Sequence, residues 1–364
     1  MNYAAGRRIY DRVYYRLESW VKAAALNASA RRALRGFRPD KVFWDNFRQN
    51  VRPYWAQFGV RVRPLWFKRY YQMHGGLDPR LIPDDIHLRK VIPFFDKDMY
   101  IRPLVDKNLH ALMFPGVKRP ETVFKHIDGR YTEDDFTSLS REEALSRCLA
   151  PGRFIVKPTV DTGQGKGIRF FSGEDGREAV ETLLASFDSS DYIVQKVVRQ
   201  HPAMAHFNPG CLNTLRVNTM YFEGKAYILT SILRIGAGSS EVDNVSQGGY
   251  QVTVHPADGT LDSTAYTHYA GIEKYVDETD RGIRFEGLTI PCWDKISAAA
   301  LRLCEYMPHL KYIGWDFAVD ETGDVVLVEF NCQLGQNQET CGPTLGDMTE
   351  PVLRAIYGKK EDKA

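Results

Sequence analysis

The chain has 364 residues, enough for two ordinary domains with a sizeable buried core. Its hydrophobic content of 43%, charged content of 26% and net charge of +2 suit a soluble globular protein and give no global case for nucleic acid as a partner. No apolar run approaches the ~18–20 residues of a membrane span. The first residues carry no apolar leader-like segment, and the six cysteines lack CxxC spacing and read as reduced thiols, so a cytoplasmic location is expected.

Residues 1–85 read as a basic helical region. Ile9, Tyr10, Val13, Tyr14, Leu17, Trp20, Val21 and Ala24 recur at helical spacing, beside Arg7, Arg8, Arg12 and Arg16, with Arg31, Arg32, Arg35 and Arg38 following. Such a helix either docks on the main body with its arginines in water, the favoured outcome, or makes a peripheral contact with an anionic membrane. Pro53 and Pro64 predict helix breaks, and Gly75-Gly76 with Pro79 and Pro83 mark a boundary. Residues 86–150 then alternate short apolar runs with turns, one of them at Asp128-Gly129, and close on a helix over 137–149 capped by Ser138 or Ser140.

Two strand-like runs, 153–158 and 168–171, flank a glycine-rich loop at 162–167. Glycines let backbone N–H groups approach phosphate oxygens, and Lys157 and Lys166 can neutralise them. GxxxxGK[ST] is absent and a strand follows the loop, so this is no P-loop. A helix over 176–187 and a strand over 192–198 complete a unit at 151–198, and a second unit spans 199–358. Its strands at 213–222 and 226–235 carry Arg216 and Arg234, whose planar forks suit carboxylate or phosphate. A glycine- and serine-rich stretch, 236–249, a strand at 250–254 and a helix over 293–306 follow.

The runs 312–319 and 325–330, joined by Asp320-Glu321-Thr322-Gly323, predict a β-hairpin. Glu329 and Asn331 share one strand face, and Asp316 on the partner strand can join them. Two carboxylates and an amide oxygen at one spot suit a hard divalent cation such as Mg²⁺.

The ordered series DKNLHALMFPGVKRPETV (106–123), FIVKPTVDTGQGKGI (154–168), YIVQKVVRQHP (192–202), NTLRV (213–217), ILRIG (232–236), DNVSQGG (243–249) and WDFAV…VEFN (315–331) resembles the ATP-grasp superfamily. More narrowly, it is similar to the sugar-transfer-associated branch akin to the α-L-glutamate ligases. The resemblance implies an α+β fold in which two lobes grip ATP, with the helical region as an N-terminal extension. It implies that Lys157 holds the α/β-phosphates while a loop with Gly163, Gly165, Lys166 and Gly167 closes over the triphosphate. Gln195, Lys196 and Val198 would form the adenine hinge, with Gln200 toward the ribose. Asp316, Glu329 and Asn331 would bind Mg²⁺, as two ions, and Arg216, Arg234 and Asn244 would act at the acceptor and the transferred phosphoryl group.

The implied activity is ATP-dependent joining of a small-molecule carboxylate to an amine through an acyl phosphate, associated with surface-polysaccharide work. A kinase acting on a small acceptor and a non-catalytic nucleotide-binding module are the alternatives. Two departures stand out. Glutamate ligases of this class tend to have an acid where this chain has Thr214, and the peptide-forming relatives carry an arginine where it has Gly314.

Overall fold

The computed structural model describes residues 3–97, 101, 104–160, 167–269, 272–332 and 334–358, and for 3–12 the backbone alone. Alternating runs rich in β-branched and aromatic residues build two antiparallel sheets. The smaller contains β1 (Thr122–Ile127), β2 (Arg130–Thr132), β3 (Ser138–Leu139), β4 (Arg153–Pro158), β5 (Arg169–Ser172) and β6 (Tyr192–Lys196), in the order β3-β2-β1-β6-β4-β5. Helices Arg141–Cys148 and Arg177–Ala185 cover it, and Phe124, Leu145, Phe154, Val180 and Val194 share its core.

The larger sheet contains β7 (Thr214–Phe222), β8 (Lys225–Ile235), β9 (Tyr250–Val254), β10 (Leu261–Tyr269), β11 (Ile272–Val276), β12 (Tyr312–Val319) and β13 (Val325–Asn331). Its order is β11-β10-β9-β8-β7-β12-β13. The helix Trp293–Tyr306 packs Ile296, Ala300 and Leu303 against one face, on Leu215, Val217 and Leu233. Strand alternation therefore turns Arg216, Arg234, Asp316 and Glu329 to the opposite face.

The N-terminal region is helical and has no core of its own. Phe43, Phe47, Trp55 and Phe67 share one apolar cluster with Met220, Phe222 and Tyr312 of the larger sheet and with Val352 and Leu353 near the C-terminal end. The segment with Pro53 and Pro64 does interrupt the helix. The run 41–56 passes through a π-helical turn, Phe47–Val51, just ahead of Pro53 and stops at Ala56, and a second helix, Pro64–His74, starts on Pro64, where the missing N–H costs nothing. Gly75, with φ +69°, ends the second.

The boundary placed at residue 150 cuts through the smaller sheet, because β1–β3 and the helix after them pair or pack with β4–β6. Ser140 caps that helix in a capping box with Glu143, whereas Ser138 is drawn into β3. Asp128 and Gly129, both at positive φ, make the β1–β2 turn.

Candidate active site

Register decides which side chains meet. In the β12–β13 hairpin Asp316 stands opposite Glu329 and Gly314 opposite Asn331, so all three predicted ligands lie on one face. On the other side of β12, Asp316 stands opposite Arg216. Arg216 meets Asp316 in a two-pronged pair, with Nη2 to Oδ2 at 2.9 Å and Nε on Oδ1. Arg234 Nη1 and Asn331 Nδ2 also reach Oδ2, at 3.3 and 3.2 Å. Burial alone would raise the Asp316 pKa, but Arg216 and Arg234 outweigh it and hold the carboxyl below its usual range.

Two participants escaped the sequence reasoning. Asp243 accepts from the Thr214 hydroxyl and backbone N–H and pairs with Arg234 Nη2 at 3.3 Å. A carboxylate thus stands beside Thr214, although it comes from a different segment than in the glutamate ligases. Lys107 is the second: its Nζ lies 3.0 Å from Glu329, while its backbone N–H bonds the Thr159 carbonyl at 3.1 Å. Glu329 is therefore paired and about a third exposed (31%), not buried among the valines around it.

Lys157 is the next-to-last residue of β4 and is buried, within electrostatic reach of Glu329 and Lys107. Desolvation is the main reason its pKa falls to about 8, with Glu329 raising and Lys107 lowering it further along. Its ammonium has no hydrogen bond or ion pair among the described residues. Beside it a cavity of about 240 Å³ opens between the lobes, lined by Ile155, Phe170, Val198, Leu212 and Val328. Gln195 lines it too, with Nε2 given to the Pro120 carbonyl at 3.3 Å and a buried Oε1 left unpartnered.

Other predicted positions have local duties. Lys196 turns its side chain to Glu121 at 2.7 Å and gives its N–H to the same residue's carbonyl. The Gln200 amide is consumed by Asn208, Cys211 and Asn213, which fold the loop between β6 and β7. Asn244 caps a short turn through Ser246. Gly167, with φ +77°, lies against Pro158, while Gly163, Gly165 and Lys166 lie outside the described residues.

Gly314 is explained by its neighbours. A Cβ there would lie 2.5 Å from Leu334 Cδ2, 2.8 Å from Asn218 Oδ1 and 2.9 Å from Arg216 Cδ. The space that an arginine at this position would need is occupied by Arg216 and Leu334.

Four cations, Lys107, Lys157, Arg216 and Arg234, thus meet three carboxylates, Asp243, Asp316 and Glu329. A polyphosphate fits this balance: an unpartnered buried ammonium and an apolar slot with an orphaned amide oxygen lie side by side. A lone divalent cation does not, since it would join a cluster already in positive excess with Asp316 occupied by Arg216. Bound together with a polyphosphate it fits, with the Glu329 carboxylate and the Asn331 amide oxygen, on the same strand face, as its donors.

The sequence matches the family model described as sugar-transfer associated ATP-grasp over residues 103–341. No curated protein matches it. Among solved structures it is similar to D-alanyl-alanine synthetase A from Vibrio cholerae, at 15% identity and TM-score 0.41, covering 69% of this chain and 63% of that one. An L-amino acid ligase from Bacillus licheniformis gives 12% and 0.39, covering 70% and 48%. A D-alanine–D-alanine ligase from Bacillus anthracis, complexed with ATP, gives 15% and 0.37, covering 69% and 64%. The chain spans between about half and two thirds of those proteins' lengths.

Proposed function

This chain belongs to the sugar-transfer-associated ATP-grasp family, and from that premise we propose that it is an ATP- and Mg²⁺-dependent ligase joining a carboxylate to an amine. The observation that carries the proposal is the buried Lys157 ammonium, which has no partner among the described residues, lines the cavity between the lobes and lies within electrostatic reach of Glu329 on the Asp316–Glu329–Asn331 face. Lys157 would hold the α/β-phosphates, and the apolar walls with Gln195 and the Val198 backbone would take the adenine. Glu329 and Asn331, beside the Arg216-bound Asp316, would hold Mg²⁺, which supplies charge neutralisation at the phosphate oxygens when bound.

Arg216 and Arg234 would orient the acceptor carboxylate and offset charge on the transferred phosphoryl group. The acceptor oxygen forms a bond to the γ-phosphorus as the bond to the leaving ADP oxygen breaks, giving an acyl phosphate. The amine then attacks the acyl carbon, phosphate leaves, and the amine gives up its proton. Both steps need positioning more than a protein nucleophile, which suits a site without one. The family's description supports a substrate bearing a sugar or a surface-glycan precursor.

An ADP-release screen over paired amino acids, uronic acids and nucleotide-sugars tests this. Release that requires both a carboxylate and an amine, with an amide in the mass spectrum, is expected. Release with one acceptor alone and a stable phosphorylated product would make the protein a kinase instead.

A further inference from the structure

Among its described side chains, the helix Tyr3–Ala33 docks through its C-terminal half. Ala23 and Ala30 are buried, and Asn27 accepts from Trp66 Nε1 at 2.7 Å. Toward the N-terminus the apolar stripe faces outward: Val13, Leu17, Trp20 and Val21 are 60–64% exposed and Tyr14 44%. Single exposed apolar residues are ordinary, but five on one helical stripe form a contact surface. The side chains of Ile9 and Tyr10 lie outside the described residues.

Beside this stripe runs a groove of about 1010 Å³ between the helix and the segments around 59–68 and 83–90. Six cations line it, Arg31, Arg61, Arg63, Lys68, Arg89 and Lys90, against the single carboxylate of Asp85. The side chains of Arg31, Arg61, Arg63 and Lys90 form no ion pair or hydrogen bond among the described residues. Arg89 stacks 4.3 Å over Trp20, which belongs to both the stripe and the groove and makes them one continuous face.

We infer that this face docks on a membrane leaflet rich in anionic phospholipid, a function beyond the ligase chemistry. The stripe supplies side chains that enter the headgroup boundary, and the cations beside it meet lipid phosphates. A small free anion would use the groove and leave the stripe in water. A purely apolar partner would strand the unneutralised cations. Only a surface that is apolar within and anionic at its edge uses both. Among the described residues no helix is long and apolar enough to cross a membrane, so the contact is peripheral.

The test is co-sedimentation of the full chain with phosphatidylcholine vesicles, with and without one third phosphatidylglycerol. Binding only to the anionic vesicles is expected, with release by high salt. Leu17→Glu and, separately, the pair Arg61→Glu and Arg63→Glu each lower the partition about tenfold, because a single weak signal does not hold a protein on a bilayer. Both sites are exposed, so unfolding midpoints stay unchanged. Brominated lipid quenches wild-type tryptophan fluorescence, and Trp20→Phe removes most of that quenching. Equal binding to neutral vesicles, full binding by either variant or absence of quenching overturns the inference. So does a vesicle-free dimer that Leu17→Glu dissociates, or inorganic phosphate binding in the groove without vesicle binding.

Discussion

The Lys107 ammonium sits 3.0 Å from a Glu329 oxygen, while the same residue's backbone N–H is bonded to Thr159 at the end of the β4 strand. One lysine therefore ties the two lobes together at the point where phosphate and metal would meet, and it stands in for positive charge at Glu329. Mn²⁺ used as a spectroscopic substitute for Mg²⁺ is expected to bind tightly only when ATP is present. Lys107→Met should gain nucleotide-free Mn²⁺ binding, read by electron paramagnetic resonance. Equally tight binding to the wild-type chain without ATP would contradict this charge balance.

Lys157 sets a pH dependence. Desolvation brings its pKa to about 8, so the free site loses its ammonium as pH rises through that value. ATP prefers the protonated form, so the dissociation constant should grow by up to about tenfold per pH unit above that point. The sign for stability is opposite. Between about 8 and the ordinary lysine value the unfolded chain holds the proton, so this group's contribution to stability rises with pH there. Lys157→Arg should flatten the binding profile, and calorimetric titrations across pH measure both slopes.

The Asp316 cluster should carry stability as well as chemistry. Asp316→Ala leaves two guanidiniums facing one another without their carboxylate, at a cost of about 3–5 kcal/mol. The double variant Arg216→Met with Asp316→Leu should lose less than the two singles summed, since the pair is removed together. Urea unfolding of the four chains gives the coupling directly.

Gly314→Ala forces a methyl into the space of Leu334, Asn218 and Arg216. A loss of about 1–3 kcal/mol is expected, together with a fall in ADP release as Arg216 leaves Asp316. Unchanged thermal unfolding and unchanged turnover would mean that the neighbouring side chains give way freely.

Local pattern revealed much of this and long-range placement did not. The β12–β13 hairpin was legible because alternation and an Asp/Gly turn are properties of adjacent residues. Lys157 stood out as a lysine ending an apolar run. Lys107 had no such local signal. Its role depends on a turn pinned by Asp106, Asn108 and Thr159 that carries it across to the other lobe. Asp243 was likewise invisible as a partner of Arg234, because a loop brings it there and not a strand register. The β10–β11 hairpin went unnoticed since its outer strand is mostly exposed and lacks an apolar alternation. The N-terminal helix was expected to dock on the main body, and among its described side chains it does so through Ala23 and Ala30 and not through Val13, Leu17 and Val21.

Titration of MgATP into the full chain and into Lys157→Met and Glu329→Gln tests most directly whether a triphosphate lies between the two lobes. Removing a charge-assisted contact to phosphate costs roughly 1.5–3 kcal/mol, so Lys157→Met should bind about ten to a hundred times more weakly. Glu329→Gln should stay folded, bind less Mg²⁺ with its nucleotide and lose turnover. Wild-type affinity in Lys157→Met together with retained turnover in Glu329→Gln would contradict the assignment of this cleft to ATP.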